Sequence, residues 1–290
     1  MILNFEINTW AQTSCDLIRK IRVYQKSVKI IEHMDDENKV PEVDTTSFNI
    51  NIYMGLFNRL KVDSEKTCCL IGIYDKQGGW PLLYAKDRNF NESEYISKKV
   101  SEANERTDSI ISQNILKYKK ANISEEKINR MVGFFENLKK SHDRTYALII
   151  YARDSVIKLC NNLIPDDSQE GYLQYLYFHE MGEQFALYWH AAYGEKTVLC
   201  DSNDVEYFLS YYRKSKDSYE YEENKIRDLL NSDISPVVEL DSTNCTISWY
   251  ELFICGGIYK NTYKIARAYP FRVNKVESEK IARISPRFFF

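Results

Sequence analysis

Apolar residues recur along much of the chain at the three- and four-residue spacing of an amphipathic helix. Residues 14 to 33 form the first such stretch, where Ser14 and Asp16 suit the free N–H groups of a helix start. Residues 92 to 140 repeat the pattern, with a second helix start at Ser124. The sequence therefore predicts helices in both regions. The apolar face predicted after Ser124 consists of Ile128, Met131, Val132, Phe135 and Leu138.

Other stretches alternate apolar and polar residues, or form short apolar runs, as strands do. Two apolar runs flank DKQGG at residues 75–79 and predict a hairpin with glycines at the turn. A capping-box spacing of Asn203 and Glu206 predicts a helix in DSNDVEYFLSYYR, residues 201–213. Further strands are predicted at SFNINIYMGLF (47–57), TYALIIYA (145–152), SVIKLC (155–160), KTVLC (196–200), PVVEL (236–240), CTISWYELFI (245–254) and GIYKNTYKIARAYPFRV (257–273).

Hairpins outnumber clear βαβ units in this order of elements. The predicted fold class is therefore α+β, with a mixed or antiparallel sheet built from hairpins and packed with several amphipathic helices. A weak boundary at residues 139–144 divides the chain into an N-terminal helix, hairpin and helix lobe (1–143) and a C-terminal α+β lobe (144–290). A single domain fits the pattern equally well.

The segment FHEMGEQFALYWHAAYG, residues 178–194, carries two of the four histidines. On a helix over residues 172–193, an apolar stripe runs through Leu173, Tyr177, Met181, Phe185, Tyr188 and Ala192. His179, Glu183 and His190 fall on the opposite side, as metal ligands would. His179 and His190 are eleven residues apart, about 16 Å along a helix, so they cannot bind one zinc ion.

A metal site there would therefore use His179 and Glu183, with Glu180 as general base and a third ligand from elsewhere. An amphipathic helix with a solvated or partner-facing polar side needs no such ligand, and we favour it. A buried polar network or a metal-free acid/base site is a third interpretation. The sequence thus predicts no metal and no cofactor, with His179, Glu180 and Glu183 as the catalytic candidates if the chain is an enzyme.

Patterns for other chemistry are incomplete. Asp241 and Glu251 resemble the spaced carboxylates of a magnesium-dependent nuclease, but Phe253 stands where the lysine of that pattern belongs. The glycine pairs lack phosphate-loop spacing, and no GxSxG serine motif is present. Whether the chain is an enzyme stays open at this stage, and the sequence favours that it is not.

Composition limits the partners and the cellular location that we expect for this protein. The formal net charge is −3, which favours neither nucleic acid nor membrane, and no apolar run approaches a membrane span. Seven cysteines, with no CxxC spacing, predict reduced buried thiols, and the first residues lack a signal-peptide pattern, so we expect a cytoplasmic protein. The 22 tyrosines fit either a protein interface or the codon bias of an AT-rich bacterial or phage genome.

The last 31 residues are basic. From Lys260 to Phe290 the formal charge is +6, from eight Lys or Arg and two Glu, which leaves −9 for the rest. Aromatic residues interleave with these charges and end the chain as Phe288, Phe289 and Phe290. The segment is predicted to dock on this chain's own acidic body first, on a protein partner second, and on nucleic acid last. The residues predicted to bind a partner are Arg283, Arg287, Phe288, Phe289 and Phe290.

Taken together, these features predict a cytoplasmic protein that binds another protein and forms a homo-oligomer, without a membrane partner. An inhibitor or accessory factor in bacterial or phage conflict is consistent with them. The alternative is a metal-dependent hydrolase or nuclease that uses His179, Glu180 and Glu183.

Overall fold

The computed structural model describes residues 3–27, 48–73, 80–153, 158–185, 196–214, 219–253 and 256–286. None of the helices in these ranges is long and apolar enough to cross a membrane. The α-helices are α1 (Leu3–Ser27), α2 (Ile50–Gly55), α3 (Glu92–Lys120), α4 (Glu125–Lys139), α5 (Arg144–Arg153), α6 (Gln169–Met181), α7 (Ser202–Lys214) and α8 (Glu223–Asp228). Short 3₁₀ helices follow at Leu159–Asn162, Gly182–Gln184 and Leu229–Asn231.

The strands pair in antiparallel fashion throughout the described residues. They are β1 (Leu60–Val62), β2 (Lys66–Ile73), β3 (Trp80–Asp87), β4 (Leu163–Pro165), β5 (Lys196–Leu199), β6 (Tyr219–Tyr221), β7 (Val237–Leu240), β8 (Asn244–Phe253), β9 (Gly257–Ala266), β10 (Val273–Ala282) and β11 (Ile284–Pro286). The main sheet has the order β10-β9-β8-β5, with β7 also paired to β8. Three two-stranded sheets accompany it: β1-β4, β2-β3 and β11-β6. The predicted α+β class with antiparallel hairpins is confirmed.

The central element is α6, which lies on one face of the main sheet. On β8, residues Cys245, Ile247 and Trp249 alternate toward this face and are buried. The Tyr177 ring of α6 meets the Trp249 indole at 6.4 Å between centroids, and α1 and α2 add to the same apolar cluster. This cluster draws on residues from both predicted lobes, and the division at residue 143 stays a prediction.

The opposite face of the sheet is covered by apolar residues at one end. There Leu252 of β8 and Ile258 of β9 form a second cluster with Val205 and Leu209 of α7 and Ile226 of α8. Gly257 opens β9 at a φ of +123°, and a Cβ at this position would collide with the backbone of Ala282. A glycine is therefore required where β9 starts beside the end of β10.

Two predicted strands are helices. SFNINIYMGLF forms α2, because the Asn49 side chain accepts the backbone N–H groups of Asn51 and Ile52 as a helix N-cap. Tyr53 on α2 and Phe57 just after it are both buried and are four residues apart, as on one face of a helix. The alternation of apolar residues was thus a coincidence over a short stretch.

TYALIIYA forms most of α5. The Asp143 side chain accepts the Tyr146 backbone N–H at 2.9 Å, and the buried Ala147, Leu148 and Tyr151 share one helical face. This face packs on α3 and on the β2–β3 hairpin. The predicted strand SVIKLC is also wrong where it is described, since the chain enters a 3₁₀ helix at Leu159.

Several of the remaining elements follow the predictions, but α1 begins at Leu3, before the predicted start at Ser14, and the strand predicted to reach Val273 ends at Ala266. The β2–β3 hairpin, the helices α3, α4 and α7 and the strands β5, β7, β8 and β9 form as expected, although the DKQGG loop lies outside the described residues. The start of α7 is capped by Asp201, whose side chain accepts the backbone N–H groups of Asn203 and Asp204. The predicted capping box of Asn203 and Glu206 is therefore wrong.

Candidate functional site

The helix of the FHEMGEQF segment ends earlier than the sequence predicts. It stops at Met181, and Phe185 then adopts a left-handed conformation with φ of 59°. The carbonyl of Gly182 accepts the Tyr53 hydroxyl at 2.9 Å, which fixes the turn against α2. The prediction of one helix over residues 172–193 is wrong, and His190 lies outside the described residues.

Most of α6 also has no polar side. Residues 171 to 178 are all buried, because the sheet, α1 and α2 cover α6 from several sides. Polar residues reach the surface in its last turn, where His179 is exposed and Glu180 is partly buried. The catalytic candidates therefore lie at the end of a core helix.

Glu180 faces the main sheet. Its carboxylate lies 3.2 Å from His179 Nδ1, 3.6 Å from Lys196 Nζ of β5 and 3.4 Å from the Tyr263 hydroxyl of β9. Burial alone would raise the pKa of Glu180, but His179, Lys196 and Lys275 outweigh it and lower the pKa. Glu180 is consequently held as an anion among positive and donating groups.

The Tyr263 hydroxyl connects Glu180 to a second, more deeply buried carboxylate. Glu251 of β8 is only 4% exposed and accepts hydrogen bonds from Trp249 Nε1 at 2.7 Å and from the Tyr263 hydroxyl at 2.9 Å. Burial and then the carboxylates of Glu251 and Glu180 raise the pKa of Tyr263. The phenol therefore stays protonated and donates. We call Trp249, Glu251, Tyr263, Glu180 and Lys196 the carboxylate network.

Glu183 belongs to a different environment. Its carboxylate accepts the backbone N–H of Cys160 at 3.4 Å, and burial together with this carboxylate raises the pKa of the Cys160 thiol. Within the described residues, no three His, Cys, Asp or Glu side chains lie close enough together to hold a metal ion. The metal-dependent hydrolase stays a prediction, with elemental analysis of the purified protein as its test.

The two carboxylates of the nuclease-like pattern are also apart. Asp241 closes the β7–β8 turn by accepting the backbone N–H groups of Thr243 and Asn244, each at 2.7 Å. Glu251 lies seven residues beyond Asn244 on an extended strand, about 23 Å away at the usual rise per residue. These two residues cannot share one ion.

Three members of the network were not predicted from the sequence: Trp249, Tyr263 and Lys196. Trp249 and Glu251 are two residues apart on a strand, so alternation alone places them on one face. To place Tyr263 in the network, one needs the register of the β8–β9 hairpin, in which Tyr263 pairs with Ile247. To place Lys196 there, one needs to know that β5 pairs with β8, and nothing in residues 196–200 indicates that pairing.

The basic C-terminal segment lies largely on its own chain. Lys275 sits over the Tyr263 ring at 5.1 Å, Lys280 over the Tyr259 ring at 5.1 Å, and Arg267 binds Asp167 at 2.7 and 3.0 Å. β11 pairs with β6, and the buried Ile284 anchors it. Arg267, Lys280 and β11 thus contact residues before the segment, whereas the Lys275 contact lies within it.

The residues predicted to bind a partner are only partly described. The Arg283 backbone N–H donates to the Glu222 carboxylate at 2.8 Å, and its guanidinium contacts Ser285. Arg287 and Phe288, Phe289 and Phe290 lie outside the described residues. Their predicted role stays a prediction.

A second feature is an apolar surface on the helical hairpin of α3 and α4. α3 packs on α5, and α4 lies outside α3, where Lys139 pairs with Asp108 at 2.8 Å. Ile128 is the one buried residue of α4, and the face predicted to be buried is otherwise only partly covered. Phe134 is 65% exposed, and Leu138, one turn later, is 41% exposed. The predicted burial of Leu138 is wrong.

Comparison with known proteins gives no further guide, since no protein-family model, no curated protein and no solved structure matches this chain. The carboxylate network and the apolar face of α4 are thus interpreted from their own chemistry. The network is closed, because its buried carboxylate already has two donors and its tyrosine is protonated. Phe134 and Leu138 of α4 remain exposed among the described residues.

Proposed function

We propose that this chain works by binding protein rather than by catalysis, and that it self-associates through the outward face of α4. The observation that carries the proposal is the exposure of Phe134 and Leu138 beside the partly buried Met131. Contiguous apolar side chains on a surface are typical of interaction sites. We call these three residues the α4 face.

The spacing of the α4 face fits a helix as partner. Met131, Phe134 and Leu138 are three and four residues apart, which is the a–d–a spacing of helices that pack side by side. The same order is nearly symmetric about Phe134. An antiparallel second copy of α4 would place Phe134 on its counterpart and Met131 on Leu138. A second copy of this chain is therefore the occupant that we propose.

Charge permits this pairing. Residues 92–140 carry ten Lys or Arg and eight Asp or Glu, so two copies of the hairpin repel each other little. A surface of one strong sign would instead indicate a partner of opposite charge.

Size limits the affinity. α4 has 15 residues and is about 22 Å long, whereas a standard interface buries about 800 Å² per partner. Contacts from neighbouring parts of the hairpin must contribute, and Leu116 and Ile123 are exposed apolar residues there. We expect a dimer that dissociates on dilution through the micromolar range.

The test compares Phe134→Glu with Tyr207→Glu. Tyr207 on α7 is 64% exposed, so both variants place a charge at an equally exposed aromatic position on a helix. Light scattering after size exclusion should show twice the 34.2 kDa chain mass for the native chain and for Tyr207→Glu, and one chain mass for Phe134→Glu. A native chain that is monomeric at high concentration, or a dimer that survives Phe134→Glu, would contradict the proposal.

The cytoplasm is part of the same proposal. The described cysteines, Cys15, Cys68, Cys69, Cys160, Cys200 and Cys245, are free thiols. Free thiols are usual in a reducing compartment. A role as an inhibitor or accessory factor in bacterial or phage conflict stays a prediction.

A further inference from the structure

Two cysteines that are 185 positions apart in the sequence meet between α1 and the start of α7. Cys15 on α1 and Cys200 directly after β5 are both buried, and Cys15 Sγ lies 3.5 Å from the Cys200 carbonyl oxygen. The two thiols also shift each other's pKa, as side chains in contact do. The two side chains are thus already neighbours in the folded chain.

Charged residues hold this junction in place. Arg22 of α1 binds the Asp204 carboxylate and donates to the Val198 carbonyl at 2.6 Å, while Arg19 binds Asp201 at 2.5 Å. Asp204 also accepts the Cys200 backbone N–H at 2.7 Å. These contacts hold α1 against the β5–α7 junction, and so keep the two cysteines next to each other.

The Cys15 sulfur differs in chemistry from those of the other described cysteines. The neighbouring Cys200 thiol and Arg19 lower the pKa of Cys15, although burial opposes them. The Cys15 thiol and then burial raise the pKa of Cys200, and burial raises the pKa of Cys68, Cys69, Cys160 and Cys245. The Cys15 sulfur is thus the better nucleophile of the described set, because the thiolate is the reactive form.

We propose that Cys15 and Cys200 are an oxidative modification site, at which hydrogen peroxide joins the two sulfurs in a disulfide. The Cys15 thiolate attacks one peroxide oxygen, the O–O bond breaks, and a sulfenic acid and hydroxide form. The Cys200 sulfur then attacks the sulfenic sulfur and water leaves. In total, two thiols and one peroxide give one disulfide and two waters. The bond ties α1 covalently to the β5–α7 junction.

Peptide mapping of the native full-length chain tests this site. Reduced protein is freed of reductant, treated with hydrogen peroxide, blocked with an alkylating agent and digested with trypsin. Cys15 is the only cysteine of tryptic peptide 1–19, and Cys200 is the only cysteine of peptide 197–213. We expect these two peptides to appear joined, with the loss of two hydrogens, and to separate after reduction.

Two controls distinguish this site from unselective oxidation. Cys245→Ser removes an equally buried thiol and should keep the link, whereas Cys15→Ser and Cys200→Ser should lose it. Peroxide treatment of the native chain in urea should lower the yield of the joined peptides about tenfold or more, because folding supplies the local concentration. Recovery of the two peptides unlinked from folded native chain, or an equal yield in urea, would overturn the proposal.

Discussion

The helices α6 and α4 occupy opposite positions in the fold, and α6 is also richer in apolar residues, with seven of 13 against six of 15. Residues 171 to 178 of α6 are buried without interruption, whereas Ile128 is the one buried residue of α4. α6 is surrounded by α1, α2 and the main sheet, while α4 has α3 on one side. The apolar stripe of α4 thus marks a face that can be covered, and the neighbouring elements decide whether it is.

The polar groups of the two helices differ in the same way. Glu180 at the end of α6 shares Tyr263 with the buried Glu251, so its charge has several fixed partners. On α4, Glu126 and Arg130 pair with each other while both remain mostly exposed. A buried network is expensive to break, and a surface pair contributes little.

The largest expected difference comes from matched leucine truncations. Leu176→Ala removes a side chain of α6 with 0% exposure and should cost about 2–5 kcal/mol of unfolding free energy by leaving a cavity. Leu138→Ala on α4 should cost less than about 1 kcal/mol, because this side chain is already partly solvated. Urea unfolding at low protein concentration, where chains are monomeric, measures both. Equal losses would mean that α4 is as much a part of the core as α6.

The next difference concerns the buried carboxylate. Glu251→Ala leaves Trp249 Nε1 and the Tyr263 hydroxyl without their acceptor and should cost about 2–4 kcal/mol. Glu251→Gln keeps an acceptor oxygen and should cost less. Glu239→Ala, at an exposed glutamate on β7 of the same sheet, is the control and should stay close to the native chain. A loss for Glu239→Ala as large as that for Glu251→Ala would show that the effect is not specific to the network.

The same contrast explains which parts of the fold the sequence could predict. The β2–β3 hairpin and the strands β8 and β9 carry local signals, namely glycines at turns and alternation on a half-covered sheet. α6 has no such signal, because burial on all sides removes the difference between polar and apolar faces. Tyr172, Gln174 and Tyr177 fall on several sides of α6 and are all buried.

Short elements and distant pairings account for the remaining errors. α2 and α5 are decided by the caps Asn49 and Asp143, which compete with an apolar pattern too short to indicate a period. The carboxylate network depends on the register that brings Tyr263 beside Glu251, and the Cys15–Cys200 contact joins positions far apart in sequence. Such contacts are properties of the folded chain and not of any local window.

A smaller effect should appear in the pH dependence of Glu180. Its pKa is lowered in the folded state, so its contribution is complete above the ordinary glutamate pKa and is lost as the pH falls through the folded value. Glu180→Gln should therefore reduce stability by about 1–2 kcal/mol at neutral pH and by progressively less below about pH 4.5. Urea unfolding from pH 7 to 3 measures the gap. A gap that widens as the pH falls would contradict the lowered pKa.

The smallest difference should separate the two serine N-caps. The Ser168 hydroxyl of α6 accepts the Gly171 backbone N–H at 3.0 Å, whereas the Ser124 side chain of α4 makes no cap hydrogen bond. Ser168→Ala should cost about 1 kcal/mol, because it leaves a donor of the first turn without a partner inside the folded chain. Ser124→Ala should change the unfolding free energy by less than about 0.5 kcal/mol, since solvent already serves that turn. The two serines have the same chemistry and the same position in their helices, so any gap between them reports the surroundings alone. A Ser124→Ala loss equal to that of Ser168→Ala would mean that α4 is capped in solution as firmly as α6.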